Sequence, residues 1–396
     1  MVWKCAKMVQ GVSSEMANRS LTEFIREEAR RLGFFKIGVV AAAPLPWSRH
    51  FDSWLAEGMQ GEMDYLVRQS GKRKDPALVM NDIRSILVLA MNYYSDGEPS
   101  GDPLQGRISK YALGADYHPV MSGRMSSLLD FILQKDPRAR GLFYTDTGPV
   151  MEKVWGAHSG LGWMGKHSNL ITREEGSWFF VGVILLNLEL DYDTKERDHC
   201  GTCSRCIHAC PTGAIVAPYV VDARLCISYL TIELKGSIPR RLRPMIGNRV
   251  FGCDDCQEVC PWNRFAVTTT EPAFRLQAGN EPADLARLAL TSAEEFSDRF
   301  KNSPVRRAKR DGFVRNVVVA LGNSRKAEAV PALVRALGDA SALVRGHAAW
   351  ALGQIGSTEA LTALWQARSQ EGDPAVLEEI EFALREPGPD ENPITG

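Results

Sequence analysis

The sequence lacks several features that would fix its class at once. No apolar run approaches the roughly 20 residues that span a bilayer, so no membrane segment is expected. Residues 1–19 hold no continuous apolar stretch of the kind a signal peptide needs and read as a disordered N-terminal extension. Charge of one sign is missing too: 47 Lys and Arg face 48 Asp and Glu, a net charge of −1. That excludes a global basic field, so any nucleic-acid contact must use local patches. No G-x-G-x-x-G follows a predicted strand, so a dinucleotide fold is not indicated. Cysteine is almost absent outside one region: of nine, only Cys5 lies away from residues 200–260. Eight cysteines concentrated in one module argue for a reducing compartment, and the expected location is the cytoplasm. A chain of 396 residues can bury a large core and hold two or three domains.

What is present is organised around Cys200 to Pro261. The first run, Cys200-Gly-Thr-Cys203-Ser-Arg-Cys206-Ile-His-Ala-Cys210-Pro211, has the bacterial ferredoxin spacing C-x2-C-x2-C-x3-C-P. In that pattern the fourth thiolate crosses to a second cluster. The second run, Cys253-Asp-Asp-Cys256-Gln-Glu-Val-Cys260-Pro261, keeps C-x2-C-x3-C-P but has Val250 and Phe251 where a further cysteine is wanted. Cys226 is the one candidate for that gap. Eight thiolates then serve two 4Fe–4S clusters. Cys200, Cys203, Cys206 and Cys260 are expected on one, and Cys210, Cys226, Cys253 and Cys256 on the other. Zinc and disulfides are the alternatives; zinc would favour two separated C-x2-C pairs without the longer run.

The rest of the chain divides around this module. Ser20-Leu-Thr-Glu23 is a capping box, and its helix should stop at Gly33. Strands are expected at 34–40, 85–91, 142–145 and 178–188, and helices at 117–135 and 148–159. The alternation predicts a mixed α/β domain over about residues 20–190. The cluster module takes about 191–265, and a connector with little pattern runs over about 266–300. From about 301 to 388 the sequence repeats. Ala320-Leu-Gly322 recurs as Ala351-Leu-Gly353, and Glu328-Ala-Val-Pro-Ala-Leu333 as Glu359-Ala-Leu-Thr-Ala-Leu364, both 31 residues on. A third unit ends near Phe382-Ala-Leu384, and residues 389–396 are a tail. This period predicts HEAT-like helix pairs that must lean on the rest of the protein.

Two local basic runs interrupt the neutral balance. One is Arg299, Lys301, Arg306, Arg307, Lys309, Arg310 and Arg315, with Asp311 its only acid. The other is Lys235, Arg240, Arg241, Arg243 and Arg249. A solvated face and a phosphate-binding face are both open readings.

Clusters alone move electrons, so the N-terminal domain should bind what they reduce. Asp146, in Tyr144-Thr-Asp146-Thr-Gly148-Pro-Val-Met-Glu152-Lys153, falls at a strand end and is either a helix cap or a site residue. Gly160-Leu-Gly162-Trp-Met-Gly165-Lys166-His167-Ser168-Asn169 is either a surface loop or a segment whose glycines let backbone approach a ligand. The motif D-x-H-x-x-G, which supplies histidine to cobalt in some cobalamin proteins, is absent; Asp116-Tyr-His118-Pro-Val-Met121 only begins like it.

The combination resembles the epoxyqueuosine reductases. Arg73-Lys-Asp-Pro76, Asp116-Tyr-His118, Asp146-Thr-Gly148, Gly160-Leu-Gly-Trp-Met-Gly-Lys166, the eight cysteines, Cys226-Ile-Ser228-Tyr-Leu, Ile246-Gly-Asn-Arg249 and the terminal repeats carry the resemblance. It implies reduction of the epoxide of epoxyqueuosine in a tRNA anticodon to the alkene of queuosine, with cobalamin and two 4Fe–4S clusters. Cobalamin would lie base-off between the α/β domain and the cluster module. Asp146 would be the proton donor. Arg73, Lys166, Leu170, Ser228 and the turn of Cys253, Asp254, Asp255 and Cys256 would border the corrin. Ser109 stands where some members carry a cysteine near cobalt. The repeats and basic runs would hold the tRNA, an external low-potential donor would supply electrons, and the chain is expected to act as a monomer. A proton donor of this kind would need a carboxyl pKa raised by partial burial. The rival readings are a dehalogenase-like cobalamin enzyme for a small molecule, which needs no basic helical repeat, and a plain electron carrier, which needs no corrinoid.

Overall fold

A computed structural model of the protein describes residues 20–46, 48–96, 100–277 and 284–388; the N-terminal extension with Cys5 and the tail 389–396 lie outside the described residues. Helix α1 (Leu21–Arg31) opens with the expected capping box, Ser20 and Glu23 each taking the other's backbone N–H. Four strands form one sheet: β1 (Lys36–Ala41), β2 (Ser85–Asn92), β3 (Gly141–Tyr144) and β4 (Phe179–Leu186). Their order is β1-β2-β4-β3, and each neighbouring pair is antiparallel. The mixed α/β expectation therefore resolves to an antiparallel sheet with helices on both faces.

Covered on both sides, β2 and β4 are almost wholly apolar rather than alternating. On one face α2 (Tyr117–Lys135) packs Met121, Met125, Leu128 and Ile132 against Leu87, Leu89 and Ile184. It lies close because β4 carries Gly182; a Cβ there would stand 2.6 Å from Met125 Sδ. On the other face α3 (Glu152–His158) brings Trp155 and Ala157 to Ile86, Val88 and Val183. The helix expected from Gly148 begins only at Glu152. Gly148 precedes proline, which disfavours helical backbone, and a Cβ there would fall 2.3 Å from the Tyr144 ring. Residues 145–151 are thus an irregular loop at the end of the sheet.

The described residues of 266–300 hold more structure than their sequence suggests. Phe274 is buried against Phe180 in the sheet core, and the helix Ala293–Arg299 carries a capping box of Ser292 and Glu295. The repeat follows as two helix pairs and a last helix: α5 (Lys309–Ser324) with α6 (Val330–Ala336), α7 (Ala342–Ile355) with α8 (Thr358–Arg368), and α9 (Pro374–Arg385). The recurrent Ala-Leu-Gly is the contact between units. A Cβ on Gly322 would lie 2.7 Å from Ala351, and one on Gly353 would lie 2.6 Å from Ala383.

The repeats share one core with the cluster module, with Ile227, Leu230, Val250 and Phe251 packing with Phe313, Val317 and Leu321. Two polar residues of α5 fasten this joint. Buried Arg315 donates to the carbonyls of Leu230, Leu234 and Gly236 at 2.7, 2.9 and 2.6 Å. Asn316 donates to those of Thr231 and Val250 at 2.8 and 2.9 Å. A buried guanidinium is tolerable only when its donors are so satisfied. Arg315→Met should cost about 3 kcal/mol, because it leaves one buried and two part-buried carbonyls without that donor. Thermal unfolding should show a melting point several degrees lower; an unshifted one would mean the carbonyls find water instead.

Candidate active site

The eight cysteines line two cavities, four in each, and none of them is in a disulfide. Cys200, Cys203, Cys206 and Cys260 line a cavity of about 230 Å³. Cys210, Cys226, Cys253 and Cys256 line one wall of a larger cleft of about 640 Å³ between the sheet domain and the cluster module. The spacing of the runs explains the division. Cys206 lies on the short helix Arg205–Ala209, so Cys210 emerges at its far end, turned away from the first three. Helix α4 (Ile227–Ile232) follows Cys226, and Thr231 Oγ1 accepts from Gly252 N at 2.9 Å, which sets the second run beside it.

Across the cleft stands Asp146. It is not a helix cap. Its φ is +58°, in the left-handed region that costs a non-glycine residue about 1 kcal/mol or more. Tyr117 donates to its Oδ2 at 2.9 Å, and Tyr117 itself is clamped by ring contacts with His118 and Phe180 at 4.1 and 4.2 Å. Arg307 Nη1 stands 3.6 Å from the same oxygen, while its Nε pairs with Glu233 at 2.6 Å. The backbone N–H of Asp146 donates to Glu152 Oε1 at 3.1 Å. The burial expected of a proton donor is not there: the Asp146 side chain is 58 % exposed. Desolvation falls on Glu152 instead and, with the Asp146 carboxylate nearby, pushes its carboxyl up to about 7.

Two histidines also face the cleft. Asp116 does cap α2, accepting from His118 N at 3.0 Å, and its Oδ1 also meets His118 Nδ1 at 2.7 Å. His167 accepts from Asn169 N at Nδ1, and burial pushes its pKa down to about 4, so it is neutral. Among the described residues neither Nε2 has a partner, though both are buried, an arrangement suited to a polar ligand. Residue His167 lies in the wall common to the two cavities.

The other expected site residues are placed as follows. Ser109, Leu170, Ser228 and Asp255 line the cleft with Cys253 and Cys256. Asp254 lies behind it, accepting from Ser109 Oγ at 2.5 Å and Lys110 N at 2.7 Å. Arg73 backs the Asp146 loop: it donates to Val150 O at 3.1 Å, with its guanidinium over the Tyr65 ring. Lys166 faces the smaller cavity, its ammonium on the carbonyls of Gly201 and Cys203 at 2.7 and 2.9 Å. The glycines of the 160–165 stretch serve packing within the chain. A Cβ on Gly160 would meet Thr194 O at 2.4 Å, and one on Gly162 would meet Ile171 O at 2.0 Å.

The basic runs are mostly structural. Arg315 is buried; Arg310 pairs with Asp339 at 2.5 Å; Arg243 and Arg240 hold Glu379 at 2.7 and 3.1 Å; Arg249 holds Asp255 at 2.6 Å. Lys235 caps the carbonyls of Ile232 and Arg307. Lys301, Arg306, Lys309 and Arg241 remain exposed. Sequence reasoning missed Tyr117, Glu152, His167 and Arg307 as neighbours of one cleft. They come from four segments, and no spacing along the chain marks their meeting.

Two four-cysteine cavities, one of them a cleft that also carries a carboxyl group, define an iron–sulfur oxidoreductase. Residues 199–263 match the 4Fe-4S double cluster binding domain, and residues 310–385 match HEAT repeats. Residues 73–147 match the family Epoxyqueuosine reductase QueG. The chain is 44 % identical over 338 residues to the epoxyqueuosine reductase of Xanthomonas campestris, covering 84 % of this chain and 95 % of that one. With the Pseudomonas aeruginosa enzyme it is 41 % identical over 344 residues, covering 85 % and 95 %. A crystal structure of an epoxyqueuosine reductase with an epoxyqueuosine-modified tRNA-Tyr stem loop superposes with a TM-score of 0.86 at 30 % identity, covering 92 % of this chain and 98 % of that one. One from Bacillus subtilis, with its catalytic aspartate loop swung out of the active site, gives 0.85 at 29 % identity over the same shares. The chain belongs to the epoxyqueuosine reductase family and carries a double 4Fe–4S cluster binding domain. Among the described residues no helix is long and apolar enough to cross a membrane.

Proposed function

We propose that the protein reduces epoxyqueuosine to queuosine at the wobble position of a tRNA anticodon, with Asp146 as proton donor. One observation carries this reading: a wall of four cysteines faces Asp146 across a single cleft. Electrons can therefore arrive from one side and a proton from the other. Cys210, Cys226, Cys253 and Cys256 hold the cluster at the cleft, and Cys200, Cys203, Cys206 and Cys260 hold the outer one.

Cobalamin fits the donor set of the cleft, where the Nε2 atoms of His118 and His167 lack partners. Ser109, Leu170, Ser228, Cys253, Asp255 and Cys256 would border it, with Arg73, Lys166 and Asp254 supporting them from behind. When bound, cobalamin supplies a strong reducing nucleophile. Removing the epoxide oxygen takes two electrons and two protons and yields an alkene and water. Asp146 protonates the departing oxygen, and Tyr117 fixes the carboxyl that does so. The family relative bound to a modified stem loop supports tRNA as substrate. Lys301, Arg306 and Lys309, exposed at and beside the cleft mouth, are the phosphate contacts. An external low-potential donor feeds the outer cluster, and the chain works as a monomer in the cytoplasm.

Anaerobic protein reconstituted with iron, sulfide and cobalamin should turn over a modified stem loop, and Asp146→Asn should keep its cofactor content while losing ~10²–10⁴-fold in rate. Near-parental turnover in that variant would leave Asp146 without a catalytic role. Iron analysis supplies a second check. Cys226→Ser should keep the outer cluster and damage the inner one, whereas an unchanged iron content would remove Cys226 from the ligand set. A third check concerns tRNA. Lys301, Arg306 and Lys309 changed together to Ala should weaken binding and reduce the salt slope by roughly 2 units. An unaltered slope would put the phosphate contacts elsewhere, with Arg241 next in line.

A further inference from the structure

The loop that carries Asp146 has few fastenings. Thr145 Oγ1 donates to Val181 O at 3.0 Å, and Arg73 holds Val150 O at 3.1 Å. Between these points Asp146 keeps a left-handed backbone, which aspartate tolerates better than most residues but which still needs support. Tyr117 restrains the carboxyl, but a bond to the carboxyl cannot set the backbone. Among the described residues, the bond to the backbone of Asp146 itself comes from Glu152, whose Oε1 accepts the Asp146 N–H at 3.1 Å. Glu152 is the first residue of α3, which is anchored in the sheet core through Trp155 and Ala157. Its position is therefore set by the scaffold rather than by the loop.

We propose that Glu152 is a positioning residue that fixes the Asp146 backbone and so decides where the Asp146 carboxyl stands in the cleft. This rests on Asp146 being the proton donor. Glu152 need not touch the substrate, and its acceptor oxygen is sufficient for the task. Burial raises its pKa, and the bond from the Asp146 N–H pulls it the other way.

The test compares Glu152→Ala with Glu152→Gln in the fully loaded enzyme. Gln keeps an oxygen for the Asp146 N–H; Ala does not. Glu152→Ala should lower kcat about 10²-fold, as a ~1 Å misplacement of a reacting group does, with KM for the stem loop unchanged. Glu152→Gln should restore most of that rate. Hydrogen exchange over residues 144–152 should be faster in the Ala variant and parental in the Gln variant. In the Asp146→Asn background Glu152→Ala should cost nothing further, because its effect passes through Asp146. Parental kcat in Glu152→Ala, or equal losses in Ala and Gln, would overturn the proposal. An active Asp146→Asn would overturn the proton-donor reading itself. Should Glu152→Ala not fold, Glu152→Val, which also accepts no hydrogen bond, takes its place with the same outcomes.

Discussion

The structure depends on how a helical repeat is locked to a cysteine module through a buried cation. Arg315 and Asn316, adjacent on α5, satisfy the carbonyls that α4 and its following loop leave free. Such carbonyls, left alone at a helix end, would demand water in the middle of a core. The guanidinium answers three of them, and apolar residues around it close the joint. Because α4 follows Cys226 directly and its Thr231 receives Gly252 N–H, the same joint places two of the cysteine segments. A repeat that reads as an appendage is thus part of what holds the redox module in register.

The cleft separates its chemistry by wall. The cysteine wall comes from the module; Asp146, Tyr117 and Glu152 come from the sheet domain; Arg307 reaches in from the approach to the repeats. Arg307 pairs closely with Glu233 and only distantly with Asp146.

The arginines show how far composition can mislead. Clustered along the chain, they suggest a phosphate-binding face. Folded, Arg243, Arg249, Arg310 and Arg315 turn inward or onto carboxylates. Arginine suits this use, since its fixed fork of five donors can satisfy several acceptors at once. Nothing in a basic run distinguishes that arginine from one that meets solvent: Glu379 lies 136 residues from Arg243, and Leu230 lies 85 from Arg315.

The sequence by itself determined the local and periodic features. Cysteine spacing divided eight thiols into two sets, since short loops limit which sulfurs can meet. The 31-residue recurrence gave the stacked helices, and its Ala-Leu-Gly marks the close helix contacts. The capping box gave the start of α1, and Asp146 stood out at a strand end. Only the tertiary structure decided the direction of the strands, the late start of α3, the order hidden in 266–300 and the company Asp146 keeps. These depend on contacts between segments far apart in the chain, where proline sterics, close helix approach and buried polar pairing decide the outcome, and none of these leaves a period for sequence to show.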